Sequence, residues 1–232
     1  MRNYFIINGR NSLDLQGFAV NELPPISKPA KRTLIETIDG RDGDIVTDLG
    51  YSAYDKSATV GVYGTYDINE IISFFDTEGT IVFSDEPDKY YKFKIINQID
   101  FNELVKFRTA TVVFHCQPFK YQLNETVISS IGDNPLTVEN EGNIYSKPTF
   151  TVYGEGSIEV YLNDMQVFTI DLGEEEYITI DTANMEAYKD GILKNRLVTG
   201  NYNNFRLNSG ENEISFSGTV TKFEISNYSR WL

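Results

Sequence analysis

The sequence predicts a mainly β protein built as two domains, and three observations carry that reading. Short β-branched and apolar runs alternate with Gly, Asn, Asp and Pro along most of the chain. Tyr and Phe number 15 each, so aromatics reach 13% of 232 residues, and flat rings pack well across strands. Residues 177–232 repeat one theme: Tyr177-Ile-Thr-Ile-Asp181, Tyr188-Lys-Asp-Gly191, Lys194-Asn195, Gly200-Asn201-Tyr202, Phe205-Arg-Leu207, Gly210-Glu-Asn212-Glu-Ile214 and Arg230-Trp231-Leu232. Strand pieces and turns alternate there without a cluster of reactive side chains, which describes a β-sandwich surface and not a catalytic pocket.

The first half opens with a strand, Tyr4-Phe5-Ile6-Ile7, stopped by Asn8-Gly9. Phe18 to Leu23 is apolar and runs into Pro24-Pro25, where a ladder must end because Pro cannot donate to it. Residues 33–38 read as a strand, and Asp39-Gly-Arg-Asp-Gly43 follows. Two Asp/Gly pairs within that stretch predict a tight turn with positive φ. Ser57 to Val62 reads as the next strand. The pair around residues 33–62 is long enough to reach a neighbouring subunit.

One helix is expected. Asp67-Ile-Asn-Glu70 is a capping-box pattern, and Ile68, Ile71, Ile72 and Phe75 then share one face. Thr77-Glu-Gly79 is its expected stop, giving roughly 9–11 residues, an ordinary length. Residues 80–84, 90–99 and 109–116 return to β patterning. The run Thr109-Ala-Thr-Val-Val-Phe-His-Cys116 is the best strand in the chain, and it leads to Pro118-Phe119-Lys-Tyr121.

Residues 122–137 crowd Asn124, Ser129, Ser130, Gly132, Asp133, Asn134 and Pro135 together, so the domain boundary is expected near 122–140. The domains are then 1–130 and 131–232. Strands are expected in the second at 136–139, 147–153, 157–163, 165–171, 177–180, 192–198, 204–207, 212–217 and 220–227. Asn163-Asp164 reads as a tight hairpin turn.

Net charge is −14. Residues 1–139 hold 13 Lys/Arg against 20 Asp/Glu, and residues 140–232 hold 7 against 14, so each part carries −7. Spread acidity of this kind favours solubility and disfavours phosphate-backbone binding, which needs clustered cations. One cysteine, Cys116, and one histidine, His115, allow neither an internal disulfide nor a metal site between them. No cofactor motif is present. No apolar stretch approaches the roughly 18 residues of a membrane span, and the N-terminal apolar run is too short for a signal sequence. Synthesis and folding in a cytoplasm are expected.

Two constellations invite chemistry. Glu174-Glu175-Glu176, with Asp181 and Glu186 nearby, is the densest carboxylate group, but consecutive residues on a hairpin loop point in different directions. A solvated acidic loop is the simpler reading. His115 and Cys116 are neighbours on a strand, so they face opposite sides and do not form a nucleophile and base.

In their order these pieces resemble the distal tail protein (Dit) family of siphophages that infect Gram-positive bacteria. The resemblance rests on Phe5-Ile-Ile-Asn-Gly9, the Asp39-Gly-Arg-Asp-Gly43 turn and Pro118-Phe119-Lys-Tyr121. In the second half it rests on Asn140-Glu-Gly142 with Ser146-Lys-Pro148, on Gly154-Glu-Gly156, and on the terminal series. It implies an N-terminal ring-forming β-domain with one short helix and an extended hairpin, followed by a galectin-like β-sandwich. It further implies six copies closed into a ring hub in the virion, at the tail tip. That hub would join the tail tube protein to a tail-associated fibre or lysin protein and a receptor-binding protein, with DNA passing through its lumen without specific binding. An acidic, motif-poor surface suits such a conduit. Subunit contact is expected at Asp39, Arg41, Asp42 and Asp44, and ring packing at the helix through Ile68, Ile72 and Phe75. The alternative function is a cell-wall carbohydrate-binding module. A wall hydrolase using Glu175 and Asp181 is a third possibility.

Overall fold

The computed structural model describes residues 2–232. The chain divides into two compact units, one running to Leu123 and including Leu232, the other covering Asn124–Trp231. The division falls after Leu123 and not at 130/131, because Ile128–Ser130 pairs with Phe223–Ile225 of the second unit.

The N-terminal unit contains β1 (Phe5–Ile7), β2 (Arg10–Asn11), β3 (Phe18–Glu22), β4 (Lys31–Thr37), β5 (Asp44–Tyr51) and β6 (Tyr54–Val62). Helix α1 (Ile68–Phe75) follows, then β7 (Glu78–Phe83), β8 (Lys89–Lys94), helix α2 (Phe101–Phe107) and β9 (Thr109–Gln122). Seven of these strands form an antiparallel sheet in the order β2-β1-β7-β8-β9-β6-β3. The alternation along β9 is strict from Ala110 to Cys116, with every second residue buried. Phe114 lies at the centre of the core, 5.5 Å from the Phe5 ring, 5.6 Å from Phe93 and 5.8 Å from Phe83. Edge-to-face pairs of this kind add about 0.5–1.5 kcal/mol each beyond the area they bury.

Helix α1 starts where the capping pattern places it: Asp67 Oδ1 accepts from the backbone N–H of Asn69 at 2.8 Å and of Glu70 at 3.4 Å. It is shorter than expected, 8 residues. Asp76 caps it, and Gly79 belongs to β7 and not to the stop. The expectation of a single helix is corrected, since α2 also forms. Its signal was the same spacing, Asp100-x-x-Glu103, with Asp100 Oδ1 accepting from Asn102 and Glu103 at 2.9 and 3.2 Å. The apolar Ile95, Ile96 and Ile99 just before it read as a continued strand, but β8 ends at Lys94.

The second unit contains β10 (Ile128–Ser130), β11 (Leu136–Asn140), β12 (Thr149–Leu162), β13 (Met165–Asp171), β14 (Tyr177–Asp181), β15 (Glu186–Lys189), β16 (Ile192–Leu193), β17 (Val198–Gly200) and β18 (Gly210–Ser226). The expected strands 147–153 and 157–163 are one strand, β12, and 212–217 and 220–227 are one strand, β18. Each serves both layers of a sandwich. The first part of β12 pairs with β14 and the end of β18; its second part pairs with β13 and the start of β18. The bend lies at Gly154–Gly156 and Gly218, where the pairing register shifts. Gly218 has φ +101°, and an added Cβ would sit 2.5 Å from the Ser157 carbonyl oxygen. Phe150, Phe168, Phe205 and Phe223 fill the space between the layers, with Phe150 and Phe205 4.7 Å apart. The expected strand 204–207 is absent. A 3-10 turn at Tyr202–Asn204 and a bridge between Ser146 and Leu207 stand there, and 192–198 is broken by a second such turn.

Candidate assembly surface

Among the described residues, strands β4 and β5 pair only with each other. The turn between them holds Gly40 and Gly43 at φ +81° and +79°, which satisfies the Asp/Gly expectation because Gly enters that region without a Cβ clash. Each strand carries exposed apolar side chains among its polar ones. Leu34, Ile35, Ile38, Val46 and Leu49 are 47–60% exposed, and Ile35 lies directly opposite Val46. A two-stranded ribbon with no covering layer is marginal by itself. This one is tied at its base: the Tyr51 ring meets Phe119 at 5.5 Å, and Ser52 N donates to Ala30 O at 2.9 Å. Lys31 pairs with Asp48 at 2.9 Å across the ribbon.

The same unit carries a groove of ≈ 480 Å³ with Ile72, Phe75, Lys94, Ile95, Ile99 and Phe101 among its lining residues. Phe107, on α2, stands 70% exposed, and Val105 and Ile96 are also exposed. Exposed apolar side chains of this kind are candidates for an interaction surface.

The sequence-derived residues divide accordingly. Asp39, Arg41, Asp42 and Asp44 are brought together, all exposed, at the tip of the β4–β5 hairpin. Ile72 is 39% exposed and faces the groove. Ile68 is half-buried against the core. Phe75 is 3% exposed and packs on Phe5, Phe18 and Phe74, so most of its ring belongs to the core while it also lines the groove. Missed altogether were Leu34, Ile35, Val46 and Leu49 as exposed positions, and the α2 surface. Alternation shows that a residue lies in a strand; it does not show whether a second layer exists to cover it.

The chemical candidates resolve differently. Glu175 is not freely solvated: its carboxylate accepts from Lys194 at 2.7 Å and Lys189 at 3.0 Å. Those lysines hold the Glu175 carboxyl below the ordinary carboxylate range. His115 Nδ1 meets Asp55 Oδ1 at 2.8 Å, while Cys116 is buried on the other face of β9. Burial pushes the Cys116 thiol up to about 12, so it stays protonated and non-nucleophilic at neutral pH. Among the described residues no group of three or more His, Cys, Asp or Glu could hold a metal ion, and no helix is long and apolar enough to cross a membrane. The Tyr153 and Tyr177 rings lie tilted to each other, 5.2 Å apart, on the sandwich surface, but Lys222 and Lys189 already lie over those rings at 5.0 and 4.9 Å.

Comparison with known proteins fits this geometry. Residues 9–116 match the family model of the phage tail protein RIFT-related domain. The whole chain superposes on the whole of SPP1 Dit (gp 19.1), with a TM-score of 0.67 at 19% identity and 100% of each chain covered. Residues 9–116 thus resemble a phage tail protein domain, and the chain as a whole shares its fold with that Dit protein. The SPP1 protein is described as a paradigm of hub adsorption apparatus in Gram-positive infecting phages. A chain of the phage P2 baseplate in its activated conformation with Ca is similar over 100% of this chain and 99% of that one, with TM-score 0.52 and 11% identity. The corresponding Sr form gives 0.50 and 11%, with 97% of each covered. No curated protein sequence matches the chain.

Proposed function

We propose that this chain is a siphophage distal tail protein and forms a ring hub. Six copies close head to tail, and the ring joins the tail tube protein to the tail-associated fibre or lysin protein, with DNA passing through the lumen. One observation carries the reading. A single unit presents both a hairpin with exposed apolar side chains and open edges and, elsewhere on its surface, a groove lined by apolar and polar residues alike. Two different uncovered surfaces on one protomer suit a heterologous interface, which closes into a ring when the rotation allows. Docking the hairpin on the next copy would also protect its unpaired edges, which otherwise invite aggregation.

Light scattering with negative-stain microscopy tests this. The expected particle is a ring of six 26.4 kDa chains. A monomer that persists at high concentration and in the presence of the tail tube protein would overturn the proposal.

A further inference from the structure

Three short segments of the C-terminal unit meet on one side of it: 144–148 ahead of β12, 202–207 after β17, and 228–230 after β18. Ser146 and Leu207 exchange backbone hydrogen bonds of 2.8 and 3.1 Å. Ser146 Oγ donates to the Tyr228 carbonyl at 2.6 Å, and Arg230 Nε donates to the Tyr145 carbonyl at 2.8 Å. These bonds gather cations around the Tyr145 ring. The guanidinium carbons of Arg206 and Arg230 lie 4.8 and 4.6 Å from its centroid, within cation–π reach. Lys147 projects from the same segment as Tyr145.

The chain has 34 Asp/Glu against 20 Lys/Arg, and most of its partly buried lysines have recruited one: Lys120 pairs with Glu86, Lys189 and Lys194 with Glu175, Lys222 with Glu224. Lys147 and Arg206 have not. Among the described residues neither has a carboxylate within ion-pair distance. Both reach instead for one neutral oxygen, Asn203 Oδ1, from Lys147 Nζ at 3.4 Å and from Arg206 Nη2 at 3.2 Å. These are long bonds, and donors converging on a single oxygen mark a place an anionic oxygen would fit better. Burial, and then the charges of Arg206 and Arg230, push the Lys147 ammonium below its ordinary pKa. A bound anion would relieve that repulsion.

We infer that Lys147 and Arg206, positioned by Tyr145 and Asn203, form a binding site for a phosphate group. A single carboxylate would neutralise one of the two cations. A phosphate monoester carries about −1.5 to −2 at neutral pH and three terminal oxygens, enough for both. Arginine supplies the planar fork and lysine the point charge that phosphate sites use. The net charge of −14 repels a long polyanion, so a compact phosphate is favoured over nucleic acid. The inference is independent of ring assembly.

Calorimetric titration of the intact chain at low ionic strength tests it, with inorganic phosphate and glycerol 3-phosphate as separate probes. Saturable one-site binding is expected, weakened at least tenfold (about 1.4 kcal/mol) in Lys147→Gln and in Arg206→Gln. Equal affinity for the two probes assigns the site to a phosphate monoester; binding of inorganic phosphate alone assigns it to the free ion. Lys147 is half-exposed, so its variant decides the matter if Arg206→Gln loses its circular dichroism. Absence of saturable binding, unchanged affinity in the variants, or tighter binding of a short glutamate peptide would overturn the inference.

Discussion

The β4–β5 and β12–β13 hairpins are both antiparallel pairs closed by residues with positive φ, Gly40 and Gly43 in one, Asn163 and Asp164 in the other. Both carry facing apolar pairs. In β12–β13 these are Ile158 opposite Ile170 and Val160 opposite Phe168, all buried. In β4–β5 the pair is Ile35 opposite Val46, both exposed. Turn chemistry and alternation are alike, and the difference is a second layer. The sandwich covers one hairpin from within its own unit; among the described residues nothing in its own unit covers the other. A hairpin that spends apolar residues on solvent is poised for a partner, which is why it anchors the hub proposal.

The contrast can be broken by mutation, and the largest effect belongs to the sandwich. Phe150→Ala removes a ring packed on Phe168, Phe205 and Phe223, and urea unfolding should show a loss of about 3–5 kcal/mol. Gly218→Ala comes next. It forces a Cβ toward the Ser157 carbonyl at positive φ and should cost about 1–3 kcal/mol, with a lower thermal midpoint as the readout. In the hairpin, Ile35→Ala with Val46→Ala should leave the stability of the isolated chain within about 0.5 kcal/mol, yet shift light scattering from ring to monomer. A loss above about 2 kcal/mol in the monomer would instead mean that the ribbon packs on its own unit.

The smallest effect is electrostatic. The folded-state carboxyl of Glu175 is held below its ordinary value of 4.5. Its pairing therefore stabilises fully above that value and is lost as pH falls through the lower folded value. Amide exchange across residues 186–194 should show protection that disappears on acidification, and that is weak at every pH in Glu175→Gln. Protection unaffected by that substitution would assign the order of this loop to backbone bonds alone, such as Lys194 N to Ala187 O.

Legibility followed the range of the interactions involved. The α1 N-terminus, the hairpin turn at residues 39–43 and the Asn163-Asp164 turn rest on bonds and φ values within a few residues, and each was readable. So was the buried alternation of β9. The second helix was readable in principle, since Asp100-x-x-Glu103 repeats the spacing of Asp67-x-x-Glu70, but the isoleucines before it mimicked a strand. The long strands β12 and β18 were each read as two because Gly154, Gly156 and Gly218 look like turns. They act as bends within a continuous ladder, and only the cross-strand partners distinguish the two. Phe75 shares an apolar face with Ile72, and periodicity could not say which of them the core would take.

By itself the sequence determined that the chain is β-rich, capped at Asp67, and poor in groups that could act together in catalysis; it placed a boundary at 130/131, where the structure divides after Leu123. Those properties follow from side-chain shape, charge and local backbone preference. Tertiary structure alone decided that Leu34, Ile35, Val46 and Leu49 stay in solvent, that Glu175 is clasped by two lysines, and that Lys147 and Arg206 meet at one oxygen without a carboxylate. Each of these depends on segments far apart in the chain arriving, or failing to arrive, at the same place, and no local pattern encodes that.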